Sequence, residues 1–145
     1  MRKFVTLFAA AAVCALAVTA VSSAARHTTM GWSAKLTAAQ EVPKQAVKNA
    51  AGVGAFHATL TGKKLKWTLT FSKLSGPATA AHIHMGAMGK AGNVVVPLCG
   101  PCKSGASGTA TLPAAVIKAA GKHLLYVNVH TAKNPAGEIR GQVVG

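Results

Sequence analysis

The run Leu65-Lys66-Trp67-Thr68-Leu69-Thr70-Phe71 alternates apolar and polar residues without a fault, and Phe56-His57-Ala58-Thr59-Leu60-Thr61 upstream does the same. Successive side chains of a strand point to opposite faces, so this period of two fits half-buried β-strands and gives a helix no coherent apolar stripe. Gly62-Lys63 between the runs supplies a turn. The pair is therefore expected to form an antiparallel hairpin whose apolar face carries Phe56 and Trp67.

Further strand candidates are Trp32 to Leu36, Ala80 to His84, Val94 to Val96, Gly108 to Leu112, Leu124 to Thr131 and Gly137 to Val144, the last two joined by a turn through Asn134-Pro135-Ala136-Gly137. Thr37 to Ala51 is polar, lacks a period and reads as loop. Gly86, Gly89 and Gly92 resemble a phosphate-binding spacing, but the β-branched run Val94-Val95-Val96 follows where that use requires a helix, so they read as loop residues. Pro113 to Ala120, with proline in the first turn and Gly121 past the end, is the one helix expected. The sum is an all-β fold, an antiparallel β-sandwich or Greek-key barrel of about seven to eight short strands with one short helix.

The N-terminus has three zones: Arg2 and Lys3, an apolar run from Phe4 to Val21, and the small residues Ser22 to Ala25. This reads as a signal peptide over 1–25 with cleavage near Ala24 or Ala25; retention as a membrane anchor is the alternative, although the many alanines make a weak span. Cys14 is a poor lipoprotein site, because the apolar run continues past it. Residues 26–145 are then one domain, large enough for a single core and without a stable transmembrane segment. That piece holds 14 of the 16 Lys+Arg against Glu41 and Glu138, a net charge of +12. Such a surface attracts anions, with an extracellular or envelope polymer or protein as the expected partner. Nucleic acid is not expected, since the cations are almost all lysines and are not interleaved with stacking aromatics.

Three segments, Ala81-His82-Ile83-His84-Met85-Gly86, Tyr126-Val127-Asn128-Val129-His130-Thr131 and Gly137-Glu138-Ile139-Arg140-Gly141-Gln142, follow Gln40-Glu41-Val42-Pro43 in that order. Together they resemble the signature of the CHRD domain, the module named after chordin and also found alone in secreted bacterial proteins, over about residues 31 to 144. The resemblance implies an extracellular β-domain and brings no catalytic residues. A growth-factor role does not follow for a lone domain. The function expected is a secreted or envelope-associated, non-enzymatic binding or structural module.

By alternation His82 and His84 share a face, with Ile83 turned to the core, and Tyr126, Asn128 and His130 lie opposite Val127 and Val129. If the two strands are neighbours, three imidazoles converge, a donor set suited to copper or zinc. The HIHMG segment and the later strand ending in His130 are also weakly similar to the copper-binding strands of copper/zinc superoxide dismutases, which makes a metal protein with dismutase-like or redox activity the alternative function. A fourth copper histidine and any aspartate are missing, however. The other reading of the three histidines is a hydrogen-bonded cluster that fixes strand geometry. Glu138 and Arg140, two residues apart on one strand, read either as a local clamp or, for Glu138, as a carboxylate orienting His130. Cys99-Gly100-Pro101-Cys102 matches the thioredoxin tetrapeptide, but it follows a strand and precedes a loop, so a structural disulfide is expected. Two acids in the whole chain leave little for general acid and base catalysis, and no nucleophile elbow or nucleotide loop is present.

Overall fold

The computed structural model describes residues 28–44 and 51–145; the expected signal segment lies outside them. Eight strands run in chain order as β1 (Thr29–Thr37), β2 (Val53–Thr61), β3 (Lys64–Ser72), β4 (Ala78–Met85), β5 (Asn93–Cys99), β6 (Ala106–Thr111), β7 (Leu125–Thr131) and β8 (Asn134–Gln142). One helix, α1 (Ala114–Ala120), precedes β7. All pairings are antiparallel, and the spatial order β5-β4-β7-β8-β1-β2-β3-β6 curls into one nearly closed barrel. The all-β expectation holds, and the barrel replaces the sandwich.

The hairpin read from alternation is present: β2 pairs β3 with Phe56 opposite Leu69 and Ala58 opposite Trp67. Phe56, Leu60, Leu65 and Leu69 are fully buried and Trp67 nearly so, while the residues between them face water. From the other half of the barrel, Ile83, Val127, Val129 and Ile139 complete the same core. Trp67 lies across the sheet from Gly108. A Cβ at Gly108 would stand 2.8 Å from Trp67 Cζ2, so the indole occupies the room a side chain there would need.

The six residues from Gly100 to Gly105 carry the chain from one edge of the sheet to the other. This link is stitched to both sides. Cys102 N donates to Ala78 O at 3.1 Å on β4, while Gly105 N donates to Leu69 O at 2.9 Å and Ser104 Oγ accepts from Phe71 N at 2.8 Å on β3. The Cys99–Cys102 disulfide lies at its start, and no helix begins there, unlike a redox pair.

Two local expectations are corrected. Within Thr37 to Ala51, a short 3-10 turn occupies Ala38–Gln40 and leads Glu41 to a buried position. Asn134 to Gly137 is not a turn but the first part of β8; the hairpin reverses at Ala132 and Lys133, which carry no turn signature. The ladder slips between Val129 and Thr131, and this irregular stretch accommodates Pro135 and the positive φ of Gly137.

Gly108→Ala is expected to destabilise the domain by about 1–3 kcal/mol through overpacking against Trp67, read as a lowered urea midpoint. Replacing both Cys99 and Cys102 with serine should cost no more than about 2 kcal/mol, since the loop they close is so short. A larger loss in either the melt or the urea midpoint would mean that the disulfide holds the edge link itself.

Candidate metal centre

β4 and β7 are neighbours, with His82 opposite Asn128, His84 opposite Tyr126 and Ala80 opposite His130. The same alternation that sends Ile83, Val127 and Val129 into the barrel puts the three histidines, Tyr126 and Asn128 on its outer face. That face is not wet. Tyr126 and Asn128 are as buried as the core, as are Arg140 and Gln142 opposite them on β8. The segment after β4 covers them: Arg140 Nη2 donates to Ala87 O at 3.1 Å and Lys90 O at 2.9 Å, and Gln142 Nε2 to Gly86 O at 2.9 Å. A second, polar layer therefore lies outside β4, β7 and β8.

Within it the nitrogens of His82, His84 and His130 lie within 4.8 Å of one another. His84 Nδ1 is 2.9 Å from Gly92 O, and His130 Nδ1 is 3.0 Å from Pro135 O. A carbonyl only accepts, so both Nδ1 atoms carry the proton and both Nε2 atoms present lone pairs. His130 Nε2 is 3.1 Å from His82 Nδ1, which must donate while no metal is bound. His84 Nε2 is buried and has no partner. Burial first, then repulsion from the neighbouring imidazoles, lowers the pKa of His82. Burial also leads in lowering that of His130, against the Pro135 carbonyl. Both shifts favour the neutral form that binds metals.

The His84 ring is fixed from both sides. It stacks on Tyr126 at 4.8 Å between centroids and 11° between planes, and the Arg140 guanidinium lies 3.5 Å from the Tyr126 centroid. The Tyr126 hydroxyl lies 3.1 Å from Gly92 N and accepts from it, so the residue whose carbonyl holds His84 is itself held.

Among the described residues, the buried polar atoms without partners are His84 Nε2, Glu41 Oε1 and Asn128 Oδ1, all in this layer. Burial pushes the Glu41 carboxyl up to about 7, against the nearby Arg140 charge and a hydrogen bond from Asn128. Gly137 makes the approach possible, since a Cβ there would sit 2.5 Å from Asn128 Nδ2 and 2.6 Å from Glu41 Oε1.

Glu138 is a hydrogen-bond clamp, but it neither pairs with Arg140 nor orients His130. Its hydrogen bonds come from Ser75 N at 2.5 Å, Ser75 Oγ and Thr131 Oγ1 at 2.6 Å, and Asn134 Nδ2 at 2.9 Å, not from His130 or Arg140. Burial disfavours its charge, but these donors prevail and hold its carboxylate below the ordinary range. The ladder slip before Thr131 is the reason, because it breaks the register that would have set Glu138 beside His130. Arg140 pairs instead with Tyr126 and backbone carbonyls. Asn128 lies in the layer, though beside Glu41. His57 is on the outer face of β2 and His123 in the turn after α1, so neither adds a fourth imidazole. Sequence reasoning missed Glu41, whose signal was its rarity in a chain with two acids, and the Gly92 and Pro135 carbonyls, which have none.

The fold and this layer define an all-β barrel module with a histidine cluster on its outer wall. The family model for the CHRD domain matches residues 32–143, and the chain belongs to that family, a non-enzymatic one. No match was found among curated proteins or among solved structures. Among the described residues, no helix is long and apolar enough to cross a membrane.

Glu41 gives a signed pH effect. Its folded pKa of about 7 lies above the ordinary 4.5, so ionisation costs nothing below pH 4.5 and the cost grows as pH rises to 7. Glu41→Gln should therefore raise stability relative to the parent at pH 8, by on the order of 3 kcal/mol, and change it little at pH 4. Equal differences at both pH values in urea unfolding would contradict the neutral Glu41.

Proposed function

We propose that this CHRD domain works outside the cytoplasm as a non-enzymatic binding module whose ligand is a borderline transition-metal ion, copper or zinc, held by His82, His84 and His130. The observation that carries the reading is the buried, partnerless Nε2 of His84 beside the nitrogens of His82 and His130. A purely structural cluster would have committed that atom to a donor, because an orphaned buried nitrogen costs roughly 1–3 kcal/mol.

The geometry suits such an ion. Metal–nitrogen bonds of about 2.0–2.1 Å in a tetrahedral site set ligand nitrogens about 3.3 Å apart. His82 Nδ1 and His130 Nε2 are already 3.1 Å apart, and a span of at most 4.8 Å leaves a ring movement of roughly 1.5 Å. The Nδ1–H to carbonyl bonds of His84 and His130 are the outer support that metal-binding imidazoles normally have. His82 is the ligand whose proton must move from Nδ1, and its partial exposure gives that proton a way out. With three ligands the ion keeps an open position for water or a small anion.

Export is supported by the three-zone N-terminus and by the disulfide, which suits an oxidising compartment. A dismutase-like activity gains nothing from this geometry, since no fourth imidazole and no carboxylate stand with the three histidines among the described residues.

Titration of tag-free protein with copper or zinc salts in a calorimeter is expected to give one saturable site per chain. In His84→Ala the affinity should fall by at least about 100-fold, more than an outer-layer partner contributes. His84→Phe, which keeps a ring on Tyr126, should lose the metal equally while remaining folded. Unchanged binding in both variants, or no stoichiometric binding by the parent, would overturn the proposal.

A further inference from the structure

The opposite wall of the barrel carries a second arrangement, unrelated to the histidines. On the outer face of β2, β3 and β6, Lys66 is flanked across the sheet by Thr59 and Thr109, and Lys64 by Thr61 and Thr111. All six side chains are exposed. Neighbouring strands are about 4.8 Å apart and like-facing residues of one strand about 6.8 Å, so the face holds two Thr-Lys-Thr triplets one strand repeat apart. Each sets a lysine between two threonines in the ladder, residue types that together can offer one oxyanion a charge and two hydroxyl donors. The row continues with His57, Thr68 and Ser107 at a further repeat, lining one open groove with the Lys66 triplet.

No exposed acidic side chain neutralises this face. Glu41 is 3% exposed and Glu138 0%, and they are the only acidic side chains in the chain. The lysines of the triplets therefore have no acidic side chain to pair with. A ligand complementary to the face carries anionic groups at a spacing near one strand repeat along an extended chain. It has no need of large aromatic groups, because Trp32 and Trp67 are buried and the face carries no Trp, Tyr or Phe ring, its one imidazole being His57. That lack disfavours single-stranded nucleic acid, whose bases require stacking partners. The absence of apolar side chains among the triplets likewise disfavours insertion into a membrane.

We infer that the outer face of β2, β3 and β6 binds an extended phosphodiester polymer without bases, of the polyol-phosphate kind found in cell envelopes, with successive phosphates seated on the Lys66 and Lys64 triplets. The site is independent of the metal centre and stands or falls separately from it.

The test uses the full mature protein and a purified poly(glycerol phosphate) chain at about 0.15 M salt, with binding read by fluorescence anisotropy. The parent should bind with an affinity that falls steeply as salt rises. Lys64→Gln with Lys66→Gln should weaken binding at least 10-fold, whereas Lys118→Gln with Lys122→Gln, the same charge removed from the region of α1, should weaken it less than 3-fold. Thr59→Val with Thr109→Val, which keeps shape and charge, should also weaken it several-fold. Equal losses in the two lysine pairs, or no effect of the threonine pair, would reduce the binding to net charge and overturn the inference. So would equal or tighter binding of oligo(dT) or heparin of matched charge.

Discussion

Closing an eight-stranded sheet on itself commits every second side chain to an interior too small for anything but a packed core, and the remaining features follow from that commitment. Phe56, Leu60, Leu65, Leu69, Ile83, Val127 and Ile139 meet inside because their strands present them at a period of two. The outward residues are then released from packing and free to differ from one side of the barrel to the other. β7 shows the extreme: apolar within, and outside a layer of Tyr126, Asn128 and His130 that is itself covered.

That covered layer is where the fold departs from minimum energy. A core of leucine and valine leaves no polar atom unsatisfied, yet His84, Glu41 and Asn128 each retain a buried atom without a partner. The surroundings are rigid enough to maintain this, with Arg140, Tyr126 and His84 in one stack and the Gly92 backbone gripping both rings. Such preorganisation holds lone pairs together before a ligand arrives, so little ordering remains to be done on binding.

How far the sequence foretold this varies with the range of the interaction. Alternation in Leu65 to Phe71 and around His82 and His130 is local, and it correctly sorted inward from outward residues. The convergence of the histidines needed only one further assumption, that β4 and β7 are neighbours. The start of β8 was misread because Pro135 and Gly137 are turn-forming residues, and only a slip in the ladder, invisible in one strand alone, lets them lie in a strand. The roles of the two acids were out of reach for the same reason. Glu138 is held by Ser75, 63 residues away, and Glu41 is given room by Gly137 on β8, the strand that pairs with β1.

The burial of both glutamates also determines how the surface behaves when its surroundings change. An ordinary protein is an ampholyte, shedding negative charge in acid and positive charge in base. Here the exposed charged side chains of the described residues are lysines, with no exposed carboxylate side chain to offset them. The outside of this barrel is therefore one-signed in its side-chain charge, and the sequence isoelectric point lies near 10.4. Two copies meeting in solution offer each other no exposed acidic side chains, so like charge opposes their approach.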